Sequence, residues 1–273
     1  MLIQFLFLIF AFKSAMLKND VGFLLKSKME YRKQIIDGLS NVVLPERLDL
    51  LERMLALRTR YITVAVENLY QPQNASAVLR TCDCFGIQNV NIIERYNRYR
   101  VNPDIAMGSD QWLTIRRFPN SPTVSLDAIS DLRKADYRIV ATTPHTNDVL
   151  LPDFDLQKGP VALFFGTERQ GLTRTVLDNA DEFLRIPMYG FTESFNVSVS
   201  VAIVLSNLIE RLHQSSGIDW HLSADDHDEV LLIWLLRTVK RSALLVKRLC
   251  AELGIDPAPF TLPPTDVLFD HRY

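Results

Sequence analysis

The sequence predicts an α/β fold with a mostly parallel sheet over residues 61–213. Three observations carry this. Short runs rich in β-branched and aromatic residues alternate with segments of helical period. Polar stretches follow the apolar runs directly, at the strand–helix junctions where α/β proteins build their sites. A chain of 273 residues, 48% of them hydrophobic, can bury a sizeable core without disulfide or metal staples.

The elements follow in chain order. Residues 1–12 (MLIQFLFLIFAF) are apolar except for Gln4. The run is shorter than the roughly 20 residues a bilayer span requires, and no Lys or Arg precedes it as in a secretory signal. Met16 and Met29 follow. Residues 1–28 are therefore read first as a leader upstream of the native start, and next as an uncleaved tail or anchor. Leu48, Leu51 and Leu55 recur at helical spacing within 45–58, which makes 29–60 an N-terminal helical extension. Residues 62–66 read as a strand. Residues 74–85 read as a helix, with Asn74 in the cap position and Gly86 as its stop. Further strands are expected at 90–93, 113–116, 137–141, 161–165 and 183–186, and helices at 125–135, 172–179 and 197–213. His221 and His227 then lie among Asp225, Asp226 and Asp228 in a polar stretch, read as a solvated acidic turn in preference to a metal site, because nothing fixes ligand geometry.

Residues 226–250 read as one long helix inside a C-terminal helical extension, 214–273. Arg237, Lys240, Arg241, Lys247 and Arg248 fall within twelve residues with no acidic partner, most of them on one stripe. Leu236, Val239, Ala243, Val246 and Cys250 are the expected core side. By composition alone the stripe is equally a solvated face or a phosphate contact. Pro257, Pro259, Pro263 and Pro264 mark an irregular tail.

Composition excludes several classes. The 30 basic residues nearly balance the 32 acidic ones, so a uniformly basic nucleic-acid coat is ruled out and a local basic patch is not. Cys82, Cys84 and Cys250 make no disulfide framework, and the first two point apart on a helix, which suits a reducing cytoplasm. No two of the ten glycines stand at G-x-G spacing, and both the dinucleotide fingerprint and the Walker A loop are absent.

Three polar islands remain. The first runs from Glu67 through Asn74 to Ser76 and Arg80. An arginine on an otherwise core-like helix suits anion recognition, but for this island taken alone a surface salt bridge between Arg80 and Asp83 is the preferred reading. The second, Gly166-Thr167-Glu168-Arg169-Gln170-Gly171-Leu172, follows the buried run Val161-Ala162-Leu163-Phe164-Phe165. Its glycines permit a tight turn and close approach of a ligand, or are plain turn chemistry. The third runs from Ile186-Pro187-Met188 to Ser194-Phe195-Asn196-Val197-Ser198-Val199-Ser200. There Asn196 precedes an apolar helix it can cap, and the small residues allow tight helix packing.

Together the islands resemble the three signature motifs of the SpoU class of SPOUT RNA 2′-O-ribose methyltransferases. Asn74–Arg80 (N-A-S-A-V-L-R) matches the first motif, Phe165–Leu172 (F-G-T-E-R-Q-G-L) the second, and residues 186–202 (I-P-M … S-F-N-V-S-V-S-V-A) the third. Within the class the chain is most similar to the tRNA guanosine-18 subgroup. Gly108-Ser109-Asp110-Gln111-Trp112 resembles that subgroup's G-S-N-x-W stretch, and the helical extensions fit it.

The resemblance implies a deep trefoil knot near the C-terminal end of the sheet, a homodimer, and S-adenosylmethionine bound in the knot. The pocket would use Thr142, Thr143, Gly166, Ile186, Met188 and Phe195, with backbone groups holding the adenine; Phe195 stands where close relatives carry leucine. Arg80 becomes the central catalytic residue. The class proposal makes it the base, but a guanidinium stays protonated, so holding the adjacent phosphate or stabilising the developing alkoxide suits it better. Asn74 would orient Arg80 or the ribose, Glu168 would place the substrate or the arginine, Asn196 would fix its loop, and Ser194 would touch substrate or cofactor.

For RNA, Arg95, Arg98, Arg100, Arg116 and Arg117 are interleaved with Tyr96 and Tyr99, and the stripe Arg237, Lys240, Arg241, Lys247 and Arg248 would extend the track. Affinity is then expected to fall as salt rises. The expected partners are tRNA and a second copy of the chain, in the cytoplasm, with neither DNA nor membrane. The rival readings are the same chemistry on ribosomal RNA or a tRNA wobble ribose, a non-catalytic RNA-binding protein of this fold, and a membrane-anchored protein using residues 1–12.

Overall fold

The computed structural model describes residues 29–98, 100–144, 148–262 and 268–269. The leader at 1–28, Tyr99, and Pro263 and Pro264 of the expected tail lie outside the described residues. In chain order, α1 (29–40) and α2 (Pro45–Leu55) precede β1 (Ile62–Glu67), α3 (Pro72–Cys84), β2 (Asn89–Ile93), β3 (Arg100–Val101), α4 (Pro103–Ala106) and β4 (Thr114–Phe118). Then come α5 (Val124–Lys134), β5 (Arg138–Thr142), β6 (Val149–Leu150), β7 (Val161–Phe165), α6 (Arg174–Asp178) and β8 (Glu182–Arg185). Last are α7 (Val197–Gln214), α8 (Ala224–Thr238), α9 (Ser242–Leu253) and β9 (Leu268–Phe269). The chain divides into two compact units. One combines 29–52 with 223–262; the other takes 53–222 together with 268–269.

The second unit is built on a seven-stranded sheet of order β4-β2-β1-β7-β5-β8-β6. Its pairings are parallel throughout. β1 and β7 are buried along their whole length, as expected for a parallel sheet with both faces covered. Ile62, Val64, Val66, Leu163 and Phe165 pack on one face with Val78 and Leu79 of α3 and Val201 and Leu205 of α7. Ala65, Ala162, Phe164 and Ile139 pack on the other with Ala128, Ile129 and Leu132 of α5 and Val176 of α6. Six strands answer to the predicted ones; β6, two residues long, was not expected, because a dipeptide carries no period.

Between β1 and β7 the chain direction diverges, β1 leading outward to β2 and β7 leading to β8 on the other side. Ligands bind at such a switch point, beyond the carboxyl ends of the strands. Because the strands are parallel, the loops after β1, β5, β7 and β8 all emerge at that one edge. These loops carry the three polar islands.

In the first unit, the segment expected as one helix is two, α8 and α9, and Arg241 between them adopts φ 58°. The Ser242 hydroxyl donates to the Leu236 carbonyl at 2.7 Å, satisfying an acceptor left open where α8 ends. The break re-phases the second half. Val246 and Cys250 are buried, but Ala243 is exposed instead of facing the core. The acidic stretch at 225–228 is not a loop but the start of α8. The Ser223 hydroxyl caps it by accepting the Asp226 N–H, and Asp225 and Asp226 sit at the favourable end of the helix dipole. His227 Nε2 lies 3.2 Å from Glu52 Oε2. His221, in the second unit, stacks on Trp220, which stacks in turn on His213. No helix among the described residues is long and apolar enough to cross a membrane.

Candidate active site

α3 starts two residues earlier than expected. Pro72 takes the first helical position and Gln71 is the cap residue, with no capping bond from its side chain. Asn74 is therefore not a cap, and its carboxamide is free for other work. It is buried, 7% exposed, and turned toward two loops that follow other strands. Its Nδ2 donates to Glu168 Oε1, in the loop after β7. Its Oδ1 accepts from Asn196 Nδ2 at 3.1 Å, in the segment after β8.

The polarity of this chain of bonds follows from one backbone group. Asn196 caps α7, so its Oδ1 accepts the Ser198 N–H at 2.9 Å and the Ser198 hydroxyl at 2.6 Å. A backbone N–H can only donate, so the Asn196 oxygen must face it, and the Asn196 amino group must face Asn74. The Asn74 oxygen is then committed, and its amino group points at a carboxylate that can only accept when ionised. One helix end thus orients two side-chain amides and Glu168 in series. Ser198, read from sequence as a small polar residue that packs closely or bonds buried groups, is the origin of the relay. Its position two residues after a cap asparagine is the signal that finds it.

Glu168 sits at the tip of a closed hairpin. The Thr167 N–H donates to the Gly171 carbonyl at 3.1 Å and the Gly171 N–H to the Thr167 carbonyl at 2.9 Å. The Gln170 N–H donates to Thr167 Oγ1 at 3.1 Å. A Cβ on Gly166 would lie 2.1 Å from the Gly171 carbonyl carbon, and Gly171 has φ +65°. Both glycines are therefore structural conditions for presenting Glu168. Gly166→Ala is expected to open this hairpin and weaken binding of the cofactor that the motif resemblance implies, read by calorimetric titration; an unchanged affinity would contradict the account.

Against the hairpin lies a cavity of about 340 Å³ whose lining includes Thr142, Thr143, Gly166, Glu168, Ser194 and Phe195. An adjoining recess of about 70 Å³ adds Leu184, Ile186 and Met188. The six residues expected to hold a cofactor all line these two spaces, and Ser194 lines both. Their chemistry combines apolar side chains with the carboxylates Glu168 and Glu193, which suits a flat ring system carrying a cation. Burial pushes the Cys82 thiol well above its ordinary range, so it is a core group and no nucleophile.

Arg80 stands apart from the relay. It is exposed on α3, six residues beyond Asn74, and its guanidinium makes no hydrogen bond or ion pair with any described residue. Asp83, offered as its alternative partner, pairs instead with the buried Arg58. Among the expected RNA contacts, Arg98 is exposed and Arg95 is half-buried over the Tyr96 ring at 5.5 Å. Arg116 is exposed but paired with Asp131 at 2.5 Å. Arg117 is not an outward cation. It is held 2.7 Å from Glu94, whose side chain is 6% exposed. Drawing it out would leave a buried charge unpaired, at a cost of about 3–5 kcal/mol. The side chain of Arg100 lies outside the described residues. In the first unit Lys240, Arg241, Lys247 and Arg248 are exposed and Arg237 is half-buried. Contrary to expectation Arg248 has an acidic partner, Glu252, at 2.8 Å, which raises its guanidinium pKa.

Comparison with known proteins gives four matches. The SpoU rRNA Methylase family model matches residues 61–206. A tRNA (guanosine(18)-2′-O)-methyltransferase of Borreliella burgdorferi is 39% identical over 205 residues, covering 75% of this chain and 91% of that one. The Escherichia coli protein of the same name is 32% identical over 174 residues, covering 64% and 73%. The crystal structure of the Aquifex aeolicus TrmH/SpoU tRNA modifying enzyme superposes with a TM-score of 0.63 at 27% identity, over 72% of this chain and 98% of that one.

Proposed function

The chain belongs to the SpoU rRNA methylase family, and from that premise we propose that it methylates the ribose 2′-hydroxyl of guanosine 18 in tRNA, with S-adenosylmethionine as methyl donor. The protein is an RNA 2′-O-methyltransferase. The observation that carries the reading is the relay from Ser198 through Asn196 and Asn74 to Glu168. It joins all three motif islands, and its end at Glu168 lines the cavity. The cofactor, when bound, supplies a methyl group on a sulfonium cation. Ile186, Met188 and Phe195 would pack on its rings, Thr142, Thr143 and the Gly166 hairpin would line its edge, and Glu168 and Glu193 complement its charge.

Much of the rate comes from holding the hydroxyl in line with the methyl carbon. The oxygen must also shed its proton as the bond to carbon forms. Arg80, permanently charged, holds the phosphate beside the target ribose or stabilises the oxygen as negative charge develops on it. Glu168, fixed by Asn74, orients the substrate or Arg80, and Ser194 contacts substrate or cofactor. Arg95, Arg98 and Arg116 with Tyr96, and Lys240, Arg241, Lys247 and Arg248 on 214–273, are the RNA-facing groups. Residues 61–213 carry out the transfer.

The trefoil knot, the homodimer and a cytoplasmic location belong to the same proposal. Tyr189 and Phe191 in the third island are fully exposed, at 97% and 109%, and Val199 is 43% exposed. An apolar surface of that kind beside the cavity supports a second copy covering it.

The test is methyl transfer from labelled S-adenosylmethionine to bulk tRNA, with digestion to map the modified nucleoside. Label is expected in 2′-O-methylguanosine from the D-loop and absent in Arg80→Ala. Label on ribosomal RNA alone would keep the chemistry and move the target.

A further inference from the structure

Two adjacent residues at the end of the central strand hold loops from opposite sides. Glu67 closes β1 and is 1% exposed. Its Oε1 accepts from Ser125 Oγ at 2.5 Å and Thr173 Oγ1 at 2.8 Å, and its Oε2 accepts the Thr173 N–H at 2.8 Å. Thr173 follows the Gly166–Leu172 hairpin directly and caps α6. Asn68 comes next, with φ 59°. Its Oδ1 accepts the N–H groups of Tyr96 at 2.8 Å and Asn97 at 3.0 Å, and Asn97 Nδ2 reaches the Asn68 carbonyl at 3.2 Å. Asn68 itself donates through its N–H to the Ile93 carbonyl. The loop it holds carries Arg95, Tyr96 and Arg98.

We infer that Glu67 and Asn68 are positioning residues with separate clients: Glu67 sets the hairpin on the cofactor side, and Asn68 sets the loop on the RNA side. The inference rests on the proposed function for what each loop meets. Of the three donors on Glu67 only the Thr173 N–H cannot turn, and the carboxylate gives it one oxygen while the other takes both hydroxyl protons. A glutamine must keep its oxygen on the Thr173 N–H, which puts its amino group on the two hydroxyls, leaves their buried protons without this acceptor and loosens the end of the hairpin. Asn68 needs a left-handed backbone and a short acceptor aimed at two successive N–H groups. Asparagine meets both demands at little strain. Glycine meets the first and lacks the second.

The variants Glu67→Gln and Asn68→Gly are compared with wild type in the full chain. S-adenosylmethionine affinity is read by calorimetry and tRNA affinity by filter binding at one fixed salt concentration. Glu67→Gln is expected to weaken the cofactor about tenfold with tRNA affinity within twofold, the size expected when a buried donor loses its acceptor. Asn68→Gly is expected to weaken tRNA about fivefold with cofactor affinity within twofold. If Glu67→Gln does not fold, Thr173→Val removes one of the same bonds, and a threefold weakening of the cofactor alone is expected. Loss of both affinities together, or a fall in Tm with neither affinity changed, overturns the inference. The double variant Arg95→Ala/Arg98→Ala tests the underlying reading. If it leaves tRNA affinity unchanged, that loop does not face RNA. If it weakens tRNA while Asn68→Gly does not, the reading stands and the role of Asn68 falls.

Discussion

Arg80→Lys is expected to lower kcat for methyl transfer by about 10²–10³, the range seen when one donor to a developing oxyanion is removed. The side chain is exposed and bonded to no described residue, so the fold does not depend on it. Tm should stay within about 1 °C of wild type, and cofactor affinity within twofold. Lysine keeps the charge but loses the planar fork that grips two phosphate oxygens at once. A simple role in attracting RNA would therefore survive the substitution, whereas positioning of one phosphate or alkoxide would not. Single-turnover transfer with saturating tRNA separates the two. Activity within fivefold of wild type would remove Arg80 from the chemistry.

Asn74→Asp probes the relay at its centre. The side chain has nearly the same shape, and Asn196 can still donate to it. Where the Asn74 amino group met Glu168, however, two carboxylates now face each other. Such a pair cannot readily ionise twice, so one of the two pKa values rises. In the shared-proton form the bond between positions 74 and 168 is restored. As pH climbs through the raised pKa that proton leaves and repulsion drives Glu168 off its station. The variant should therefore lose activity as pH rises and recover part of it as pH falls. Asn74→Ala should lose activity without this dependence. A pH–rate profile of Asn74→Asp that runs parallel to wild type would contradict the relay.

The sheet was legible because its strands are apolar runs separated by turns, and because alternation of strand and helix leaves few topologies. That the residues expected on the cofactor side fall together was legible too: Thr142, Thr143, Gly166, Ile186, Met188 and Phe195 line two adjoining spaces. What sequence could not supply was side-chain direction. Asn74 reads as a cap, yet Pro72 starts the helix earlier and releases it. Arg117 stands next to Arg116 in sequence and is drawn inward by Glu94. The turn at Arg241 interrupts a segment whose hydrophobic period runs straight through it, because the stop depends on the Ser242 hydroxyl reaching the Leu236 carbonyl. For Arg117 a tertiary ion pair outweighs the local pattern, and for Asn74 and Arg241 a nearby proline or hydroxyl does.

The relay also has a consequence for how the protein comes into being. Asn74 meets partners 94 and 122 positions further along the chain. Closing loops of that length costs on the order of 4–5 kcal/mol in chain entropy, and no local contact repays it. β1, β7 and β8 must be in register before the three side chains can meet. During synthesis the first motif emerges long before the third, so the nascent chain carries Asn74 for most of that time without its partners. Activity therefore appears only with the finished domain. The constellation is a product of late, long-range folding, and it is the part of the molecule most sensitive to any error in the order of the strands.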